Sequence, residues 1–215
     1  MKACEPVTCD FCIEGHSGQV VKRFARAVPT RDRIVARSET AFVVPTLSPI
    51  AAGHVLVIPR EHRTSMAQLA EDERADLLGL GAAVRDRLLG DNPATLTFEH
   101  GIGIRGAGGC GISHCHLHVL PLPLASAQAA FDRFKHRAVG CAVRAKSTVH
   151  PEQSYTSMRI DTQGSSSSSS IRIGDFPSQF LRNLVEEAMG VPRTNWRDLT
   201  NAHLLAETLL VTSRP

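Results

Sequence analysis

The chain lacks a long hydrophobic run and a strong excess of either charge. None of its apolar stretches reaches the roughly 20 residues that a membrane-spanning helix needs, so we expect no membrane partner. The opening residues, MKACEPVTCDFC, hold no apolar core of a secretory signal, which predicts a cytoplasmic protein. The net charge of +3 is too small to indicate nucleic-acid binding, but it is compatible with a phosphorylated small ligand.

An internal repeat is also missing, and the 215 residues suit one sizeable domain or one domain with an appendage. Cysteine, in contrast, is present at six positions: Cys4, Cys9, Cys12, Cys110, Cys115 and Cys141. In a cytoplasmic chain such cysteines are more typical of metal ligands or buried thiols than of disulfides. The pair Cys9-x-x-Cys12 by itself leaves zinc binding, redox chemistry and no function open.

The hydrophobic pattern of the first 123 residues predicts an α+β domain. Apolar residues at helical spacing indicate one long helix over 64–89. The β-rich segments predict strands at 33–45 (two short strands around a turn), 54–59, 94–100 and 115–121. We therefore expect an antiparallel sheet covered on one face by the long helix.

The pattern changes after Pro123, so we divide the chain into a domain over 1–123 and a C-terminal α/β extension over 124–215. The extension is predicted to hold helices at 125–145, 180–189 and 199–210, and a hairpin of 154–160 with 170–173. Six consecutive serines fall in the segment that joins the two hairpin strands, and their low complexity predicts a flexible Ser-rich loop at 164–170.

The stretch GISHCHLHVLPLP places histidines at three alternate positions, His114, His116 and His118. Alternate residues of a strand point to one face, so the three imidazoles should share a face while Cys115 and Leu117 point into the core. Imidazole can serve as a nucleophile, a proton carrier or a metal ligand near neutral pH. The alternatives are a solvated strand face or a fortuitous metal-binding surface.

Two neighbouring features strengthen the functional interpretation. The loop 101–111 is rich in glycine, and its backbone N–H groups could approach an anion closely, although such a loop alone is weak support. The segment GHVLVIPREH places His54 and His62 at the two ends of a predicted strand. Either histidine alone would more often be a surface residue or a hydrogen-bonded core residue.

Together, GHVLVIPREH and GGCGISHCHLHVLP resemble the histidine triad family of nucleotide hydrolases and transferases over residues 9–123. The family signature, His-φ-His-φ-His-φ-φ with φ apolar, matches from His114 to Leu120. The resemblance implies an α+β fold, a small nucleotide substrate and, as in many members, a homodimer. It also implies that His116 attacks the α-phosphorus, that His118 contacts the phosphoryl or leaving-group oxygens, and that His54 supports them.

The resemblance further implies a metal site and a phosphate site. Bacterial members hold structural zinc with four residues that correspond here to Cys9, Cys12, His62 and His114, a closed tetrahedral set. His114 would thus serve both the triad and the metal. The alternative is four residues that are merely near one another and hold no metal. The backbone of Gly111 and Ile112 would line the phosphate site.

Several positions depart from the family pattern. Thr46, followed by Leu47, stands where related hydrolases have an aspartate for the ribose hydroxyls. Glu99 stands where an amide often faces the phosphates, and its carboxylate would repel a polyphosphate unless a cation such as Arg105 paired with it. Gln179 and Arg182, on a predicted helix of the extension, could reach back to this site or could be an ordinary solvated pair.

These observations leave three functions open. The first is a nucleotidyl hydrolase working through His116, which His118 favours because related transferases have glutamine at that place. The second is a nucleotidyltransferase that passes the nucleotide to phosphate, a sugar phosphate or another acceptor. The third is a non-catalytic nucleotide- or zinc-binding protein, which the intact triad argues against.

Overall fold

A computed structural model describes residues 9–24, 28, 32–103, 112–139, 151–172, 178–199 and 201–212 of the chain. Within these ranges the strands are β1 (Ala36–Arg37), β2 (Ala41–Pro45), β3 (Val55–Pro59), β4 (Ala94–Gly101), β5 (Leu117–Leu122), β6 (Tyr155–Thr162) and β7 (Ser165–Arg172). The α-helices are α1 (Asp10–Ser17), α2 (Glu71–Gly90), α3 (Leu124–Val139), α4 (Phe180–Met189) and α5 (Ala202–Thr212). Short 3₁₀ turns lie at Lys22–Phe24, Met66–Gln68 and Trp196–Asp198.

The seven described strands form one sheet in the order β1-β2-β3-β5-β4-β6-β7, and every neighbouring pair is antiparallel. The predicted α+β class with an antiparallel sheet is therefore confirmed. Strand β5 lies in the middle, between β3 and β4, where His118 is paired with Leu56 on one side and Phe98 on the other. The strand that carries the last histidine of the triad is thus held on both edges.

The long helix α2 covers one face of the sheet, as predicted. Its Leu77 packs in a buried apolar cluster with Val57 of β3 and with Leu117 and Val119 of β5. These two β5 residues alternate with His118, which therefore points to the opposite face. The region predicted as one helix over 64–89 is divided in the structure, with a 3₁₀ turn at Met66–Gln68 before α2 begins at Glu71.

The opposite face of the sheet is covered by the C-terminal part of the chain. Leu96 of β4 and Leu120 of β5 pack with Phe134 of α3 and Leu184 of α4 in the largest described apolar cluster. Helix α4 has the predicted bounds, and α3 follows the predicted helix to Val139, beyond which 140–145 lie outside the described residues. The C-terminal part therefore shares a core with the sheet face that carries His118.

The predicted flexible serine loop is wrong. Ser165–Arg172 form strand β7, which pairs with β6 along its whole length, from Thr162 opposite Ser165 to Tyr155 opposite Arg172. The chain reverses at Gln163 and Gly164, where Gly164 adopts a φ of 93° that favours glycine. The serines are ordered by backbone hydrogen bonds to β6. Such pairing depends on a neighbouring strand, so the serine composition alone could not predict it.

Strand β6 pairs with β4 over eight residues, from Ala94 opposite Thr162 to Gly101 opposite Tyr155. The sheet therefore runs without interruption from the predicted domain into the predicted extension. The division at residue 123 stays a prediction. None of the helices in the described ranges is long and apolar enough to cross a membrane.

The loop between β2 and β3 is held by the C-terminal end of the chain. Asn201 donates a hydrogen bond from Nδ2 to the carbonyl of Pro49 at 2.8 Å, and the N–H of Gly53 donates to Oγ1 of Thr208 in α5 at 2.9 Å. Gly53 has a φ of 84°, and a Cβ there would lie 2.8 Å from the Pro121 ring. This loop leads directly into His54 and forms one wall of the site described below.

Candidate active site

The three triad histidines lie where an extended segment enters β5. His114 and His116 precede the first residue of β5, Leu117, and His118 lies inside the strand. The strand was predicted to begin at residue 115 and begins two residues later in the structure. All three side chains are buried, and the ring centroids of His116 and His118 are 5.0 Å apart. Cys115 points the other way, as predicted, and its buried thiol lies 3.4 Å from Oε1 of Glu99.

The hydrogen bond of His116 fixes its tautomer. Its Nδ1 lies 2.7 Å from the carbonyl oxygen of His114. A carbonyl oxygen can only accept, so Nδ1 must carry the proton and Nε2 must carry the lone pair. The ring also meets Phe11 edge-on at a centroid distance of 5.5 Å. His116 is thereby held in the tautomer and orientation that a nucleophilic imidazole requires.

A second chain of hydrogen bonds fixes His118. The N–H of Ile50 donates to Nδ1 of His54 at 3.2 Å, so the proton of His54 is on Nε2. That Nε2–H donates to Nδ1 of His118 at 2.9 Å. The remaining proton of His118 is then on its Nε2. His118 is also stacked on the ring of Phe98, at a centroid distance of 4.4 Å and an interplanar angle of 14°.

Both members of this relay are kept neutral by their surroundings. Burial lowers the pKa of His54 well below its usual value, and the positive charge of Arg182 and the proximity of His116 lower it further. Burial lowers the pKa of His118 in the same direction, assisted by His116, His54 and Arg182. At neutral pH His118 therefore presents an N–H donor and carries no charge.

His100 is a buried titratable residue near His116 that the sequence reasoning did not single out. It lies two positions after Phe98 in β4, so it shares the face on which Phe98 stacks against His118. Burial lowers its pKa to about 4, and repulsion from His116 contributes. The alternation of β4 relative to Phe98 is the signal that could have found it, but the orientation of β4 depends on its pairing with β5.

A pocket opens in front of His116 and His118. Its other polar lining residues are Arg33, Thr46 and Arg182. Its apolar lining residues are Phe11, Leu47, Leu56, Ile112 and Trp196. Phe11 comes from the N-terminal helix, and Arg182 and Trp196 come from the C-terminal part, so distant segments of the chain build one pocket.

The structure brings some of the predicted substrate residues to this pocket and not others. Thr46, Leu47 and Ile112 line it. Glu99 and Gln179 are not among its described lining residues. Arg105 and Gly111 lie outside the described residues.

Glu99 points to the other face of the sheet, so its predicted place beside the phosphates is wrong. Its carboxylate accepts hydrogen bonds from the N–H of Met66 at 2.9 Å and from the hydroxyl of Tyr155. Burial raises the pKa of Glu99, although these hydrogen bonds oppose the rise. The resemblance located the residue in the sequence, but strand alternation sends its side chain away from His118.

Gln179 holds a loop and does not enter the pocket. Its Oε1 accepts a hydrogen bond from the N–H of Trp196 at 3.4 Å, and its Nε2 lies 3.5 Å from Oδ1 of Asn195. Gln179 has a φ of 64°, a left-handed conformation that is strained for a residue with a side chain. The residue therefore positions Trp196 in the pocket wall.

A second cluster lies behind the first triad histidine. The ligand atoms of Cys9, Cys12, His62 and His114 all lie within 4.8 Å of one another. Nε2 of His114 donates to the carbonyl of Pro59 at 2.9 Å, so the lone pair of its Nδ1 faces the two sulfurs, at 3.3 Å from Cys9 and 3.5 Å from Cys12. Nδ1 of His62 lies 3.3 Å from the sulfur of Cys12. These four residues could hold a metal ion.

The cluster fits zinc in donor type and spacing. In a tetrahedral zinc site, sulfur and nitrogen ligands lie about 3.6 Å apart, close to the distances here. The hydrogen bond from His114 to Pro59 is of the kind that orients a metal-bound imidazole. Burial raises the pKa of the Cys9 thiol to about 12, and a cation among the four ligands would oppose that rise by favouring the thiolate.

Phe11, one of the two residues between Cys9 and Cys12, connects this cluster to the triad. Phe11 meets the ring of His114 edge-on at 5.7 Å and the ring of His116 at 5.5 Å. The helix that carries Phe11 is held by a second contact, in which Glu14 receives two hydrogen bonds of 2.8 Å from Arg33. Arg33 also donates to the carbonyl of Pro45, next to Thr46.

The family model that matches this chain is that of the HIT domain, over residues 29–123. Residues 29–123 of the chain thus match the family that the sequence motif predicted. Members of the family are generally nucleotide hydrolases or transferases. The matched range ends just after β5, before the C-terminal part that covers the sheet.

Several solved structures are similar to the chain. A HIT family protein from Bacillus anthracis is 19% identical, with 54% of this chain and 73% of that chain covered and a TM-score of 0.42. A histidine triad nucleotide-binding protein from Candida albicans is 16% identical, with 61% and 98% covered and a TM-score of 0.41. A Zn-bound histidine triad family protein from Mycobacterium smegmatis is 18% identical, with 56% and 78% covered and a TM-score of 0.35. The comparison with curated proteins found no match.

Proposed function

We propose that the chain is a nucleotidyl hydrolase that acts at the α-phosphate of a nucleotide through a covalent nucleotidyl-histidine intermediate. The observation that carries this proposal is the tautomer of His116, whose Nδ1–H is committed to the carbonyl of His114. The nucleophilic lone pair is therefore on Nε2, in a residue that lines the pocket.

The reaction proceeds in two displacements. In the first, Nε2 of His116 bonds to the α-phosphorus, and the bond from phosphorus to the leaving group breaks with its electron pair. The positive charge on the imidazole is stabilised by the hydrogen bond to the His114 carbonyl. In the second, water attacks phosphorus, the N–P bond breaks, and a nucleoside monophosphate and a proton are released.

His118 and His54 assist without carrying a charge. The N–H on Nε2 of His118 donates to a phosphoryl or leaving-group oxygen, where negative charge develops. His54 is a positioning residue, since it fixes the tautomer of His118 from 2.9 Å. Thr46, Leu47 and Ile112 contact the rest of the nucleotide, because they line the pocket beside these histidines.

A structural zinc ion at Cys9, Cys12, His62 and His114 is part of the proposal. The ion would supply folding energy by binding the N-terminal helix to the triad segment. Four protein ligands leave no open position for substrate, which supports a structural role. Metal content after extensive dialysis, with and without Cys9→Ser and Cys12→Ser, measures this directly, and we expect one zinc per chain only in the unsubstituted protein.

Release of nucleoside monophosphate from a panel of adenylyl and guanylyl compounds tests the reaction. The panel contains a phosphoramidate, dinucleoside polyphosphates and nucleotide sugars. We expect release by the unsubstituted protein and by the control His203→Ala, in which an exposed histidine is removed, and none by His116→Ala. Equal release by the unsubstituted protein and His116→Ala would contradict the nucleophile assignment.

The alternative function, nucleotidyl transfer, gives a different product in the same assay. A transferase would release little monophosphate with water alone and would form a new nucleotide when phosphate or a sugar phosphate is added. Binding of nucleotide with no product under either condition would instead indicate a binding protein. The homodimer and the cytoplasmic location expected from the sequence stay predictions.

A further inference from the structure

We propose that Phe11 is a positioning residue that makes the orientation of His116 depend on metal binding at the cysteine–histidine cluster. This cluster is the group of four residues that could hold a metal ion: Cys9, Cys12, His62 and His114. The inference rests on the metal site of the proposed function and adds a coupling between that site and the nucleophile. Phe11 lies before the residues that the HIT domain model matches.

Phe11 contacts both the cluster and the nucleophile. Its ring meets the ring of His114 at a centroid distance of 5.7 Å and the ring of His116 at 5.5 Å, with interplanar angles of 84° and 67°. In such edge-on contacts the positive edge of one aromatic ring faces the negative face of the other, which favours one relative orientation. One side chain therefore positions a candidate metal ligand and the nucleophile together.

The surroundings of Phe11 leave its ring little freedom. The side chain is buried and packs with Phe42, Leu56 and Ile58 of the sheet in an apolar cluster. The same ring also lines the pocket in front of His116. A displacement of Phe11 would therefore remove a contact of the His116 ring and part of the pocket wall at the same time.

The first turn of α1 is attached to the triad through the cluster. Cys9 is the N-cap of α1 and Cys12 lies in its first turn, so the two thiols flank Phe11. Their sulfurs lie 3.3 Å and 3.5 Å from Nδ1 of His114, although the chain separates them from it by 105 and 102 positions. A metal ion bound by all four ligands would join these segments firmly, whereas thiols alone form only weak hydrogen bonds.

The rest of α1 is anchored without the cluster. Glu14 accepts two hydrogen bonds of 2.8 Å from Arg33. At Gly15 an added Cβ would lie 2.7 Å from the ring of Phe42, so the helix backbone lies close against the sheet. Loss of the metal should therefore release the first turn while α1 stays docked, and the coupling is a local change within a folded protein.

A second route from the cluster to His116 runs through the backbone of His114. Its carbonyl accepts the Nδ1–H of His116 at 2.7 Å. The ring of His114, however, donates from Nε2 to the carbonyl of Pro59 at 2.9 Å, and this hydrogen bond holds His114 whether or not Nδ1 binds an ion. The backbone route therefore predicts little response of His116 to the metal, and we assign the coupling to Phe11.

The test observes the ring of His116 directly and needs no substrate. Protein with isotopically labelled histidine is stripped of metal with a chelator and titrated with zinc ion alone, and the ring nitrogens are followed by NMR. The signal that is missing from His116→Ala identifies His116. We expect its Nδ1–H signal to be broad without the metal and to sharpen as one zinc ion binds, because the ring becomes fixed against the carbonyl of His114.

Phe11→Ala separates metal binding from its effect on the nucleophile. This variant keeps all four ligands, so we expect it to bind one zinc ion while its His116 signal stays broad. The matched control is Ile13→Ala, which removes an exposed apolar side chain from the same helix and should respond like the unsubstituted protein. Phe11→Leu keeps an apolar side chain without the ring, and its partial sharpening carries the test if Phe11→Ala does not fold, as judged by its thermal melt.

Turnover of an adenylyl substrate measures the same coupling as a ratio. In the unsubstituted protein and in Ile13→Ala, we expect kcat/KM to be about 10- to 100-fold higher with zinc than without it, since a small misplacement of the nucleophile is costly. In Phe11→Ala the ratio should fall below about twofold. Each protein is compared with itself, so a general loss of activity in the variant cancels.

Three results would overturn the proposal. Equal sharpening in Phe11→Ala and the unsubstituted protein would assign the coupling to the backbone of His114. A sharp His116 signal in the metal-free protein would show that no coupling exists. Loss of the whole fold on metal removal would show that the ion holds more than the first turn of α1.

All three results would leave the proposed hydrolase intact, because release of nucleoside monophosphate measures that reaction separately. Absence of zinc binding by the unsubstituted protein would contradict the proposed metal site and this inference with it. Absence of turnover with a normal NMR response would contradict the hydrolase and leave the coupling supported.

Discussion

The three triad histidines have the same side chain and different chemistry, because different ring nitrogens are engaged. His116 gives its Nδ1–H to a carbonyl, His114 gives its Nε2–H to another, and His118 accepts at Nδ1 from His54. One residue type thus presents a lone pair on Nε2 of His116, a lone pair on Nδ1 of His114 and an N–H donor on Nε2 of His118. The alternating histidines predicted a functional site, but these assignments depend on partners that are up to 64 residues distant in sequence.

Removing the relay behind His118 should reduce the rate of the chemical step. We expect His54→Leu to lower kcat by about 10- to 100-fold with little change in KM, because His118 would lose the group that fixes its tautomer. Steady-state kinetics on the preferred substrate measure this, with His203→Leu as a control on an exposed histidine. An unchanged kcat would show that His118 does not depend on His54.

The buried neutral histidines should also make stability depend on pH. Folding lowers the pKa of His54 and of His118, so the unfolded chain binds more protons as the pH falls through about 6.5, the usual value. The free energy of unfolding should therefore decrease below pH 6.5, with each residue contributing up to about 1.4 kcal/mol per pH unit.

Urea unfolding at several pH values between 7 and 5 measures this slope. In His118→Gln the slope should be smaller by up to about 1.4 kcal/mol per pH unit, since the contribution of His118 is removed. The unsubstituted protein and His118→Gln both retain the four residues that could hold a metal ion. Titration of those residues therefore contributes equally to both slopes and drops out of the difference. Identical slopes would mean that His118 is already charged in the folded protein.

Among the elements, the N-terminal helix α1 is fixed to the sheet by a buried ion pair as well as by the cysteine cluster. Glu14 and Arg33 are both nearly inaccessible to solvent and are joined by two hydrogen bonds of 2.8 Å. Nothing in the sequence pattern singles out either residue, because the two charges are 19 positions apart and become neighbours only when α1 docks.

Breaking this pair should be costly. We expect Arg33→Met to lower the free energy of unfolding by about 3 kcal/mol, since it leaves the carboxylate of Glu14 buried without its cation. Chemical denaturation measures the change. Arg63→Met, which removes a cation from a solvent-exposed pair with Glu61, should change stability by less than about 0.5 kcal/mol. Similar effects of the two substitutions would contradict the burial of the Glu14–Arg33 pair.

Element prediction succeeded where periodicity was strong and failed where backbone pairing decides. The buried run that became β3 and the apolar spacing that became α4 were both visible in the sequence. The serine strand β7 was not, because its order comes from hydrogen bonds to β6 and not from its side chains. For the same reason, the sequence did not predict which face of the sheet the side chains of Glu99 and His100 occupy. That face depends on the register of β4 against β5.

At the scale of the whole molecule, the C-terminal part belongs to the sheet, the core and the pocket. It adds β6 and β7 beyond β4, covers the sheet face that carries His118, and contributes Arg182 and Trp196 to the pocket wall. The family resemblance covered residues 9–123 and located the triad and the four residues that could hold a metal ion. For the C-terminal part, the sequence offered Gln179 and Arg182 as residues that could reach the site, and of these Arg182 lines the pocket.

A fragment of residues 1–123 should therefore not fold independently. Without α3 and α4, the apolar face formed by Leu96, Phe98 and Leu120 would be exposed to solvent. The edge of β4 would also lose its partner strand, β6. We expect the fragment to be aggregated or to melt without a cooperative transition, as measured by circular dichroism. A soluble fragment with a sharp transition would show instead that the division at residue 123 separates two folding units.

The central claim is that His116 becomes covalently bonded to the nucleotide. The most direct measurement is rapid acid-free quenching of the protein during turnover of an adenylyl substrate, followed by proteolysis and mass spectrometry of the triad peptide. The account predicts one adenylyl group attached to His116, present in the unsubstituted protein and absent from His116→Ala. Turnover that proceeds with no adduct on His116 at any time point, or with the adduct on another residue, would contradict it.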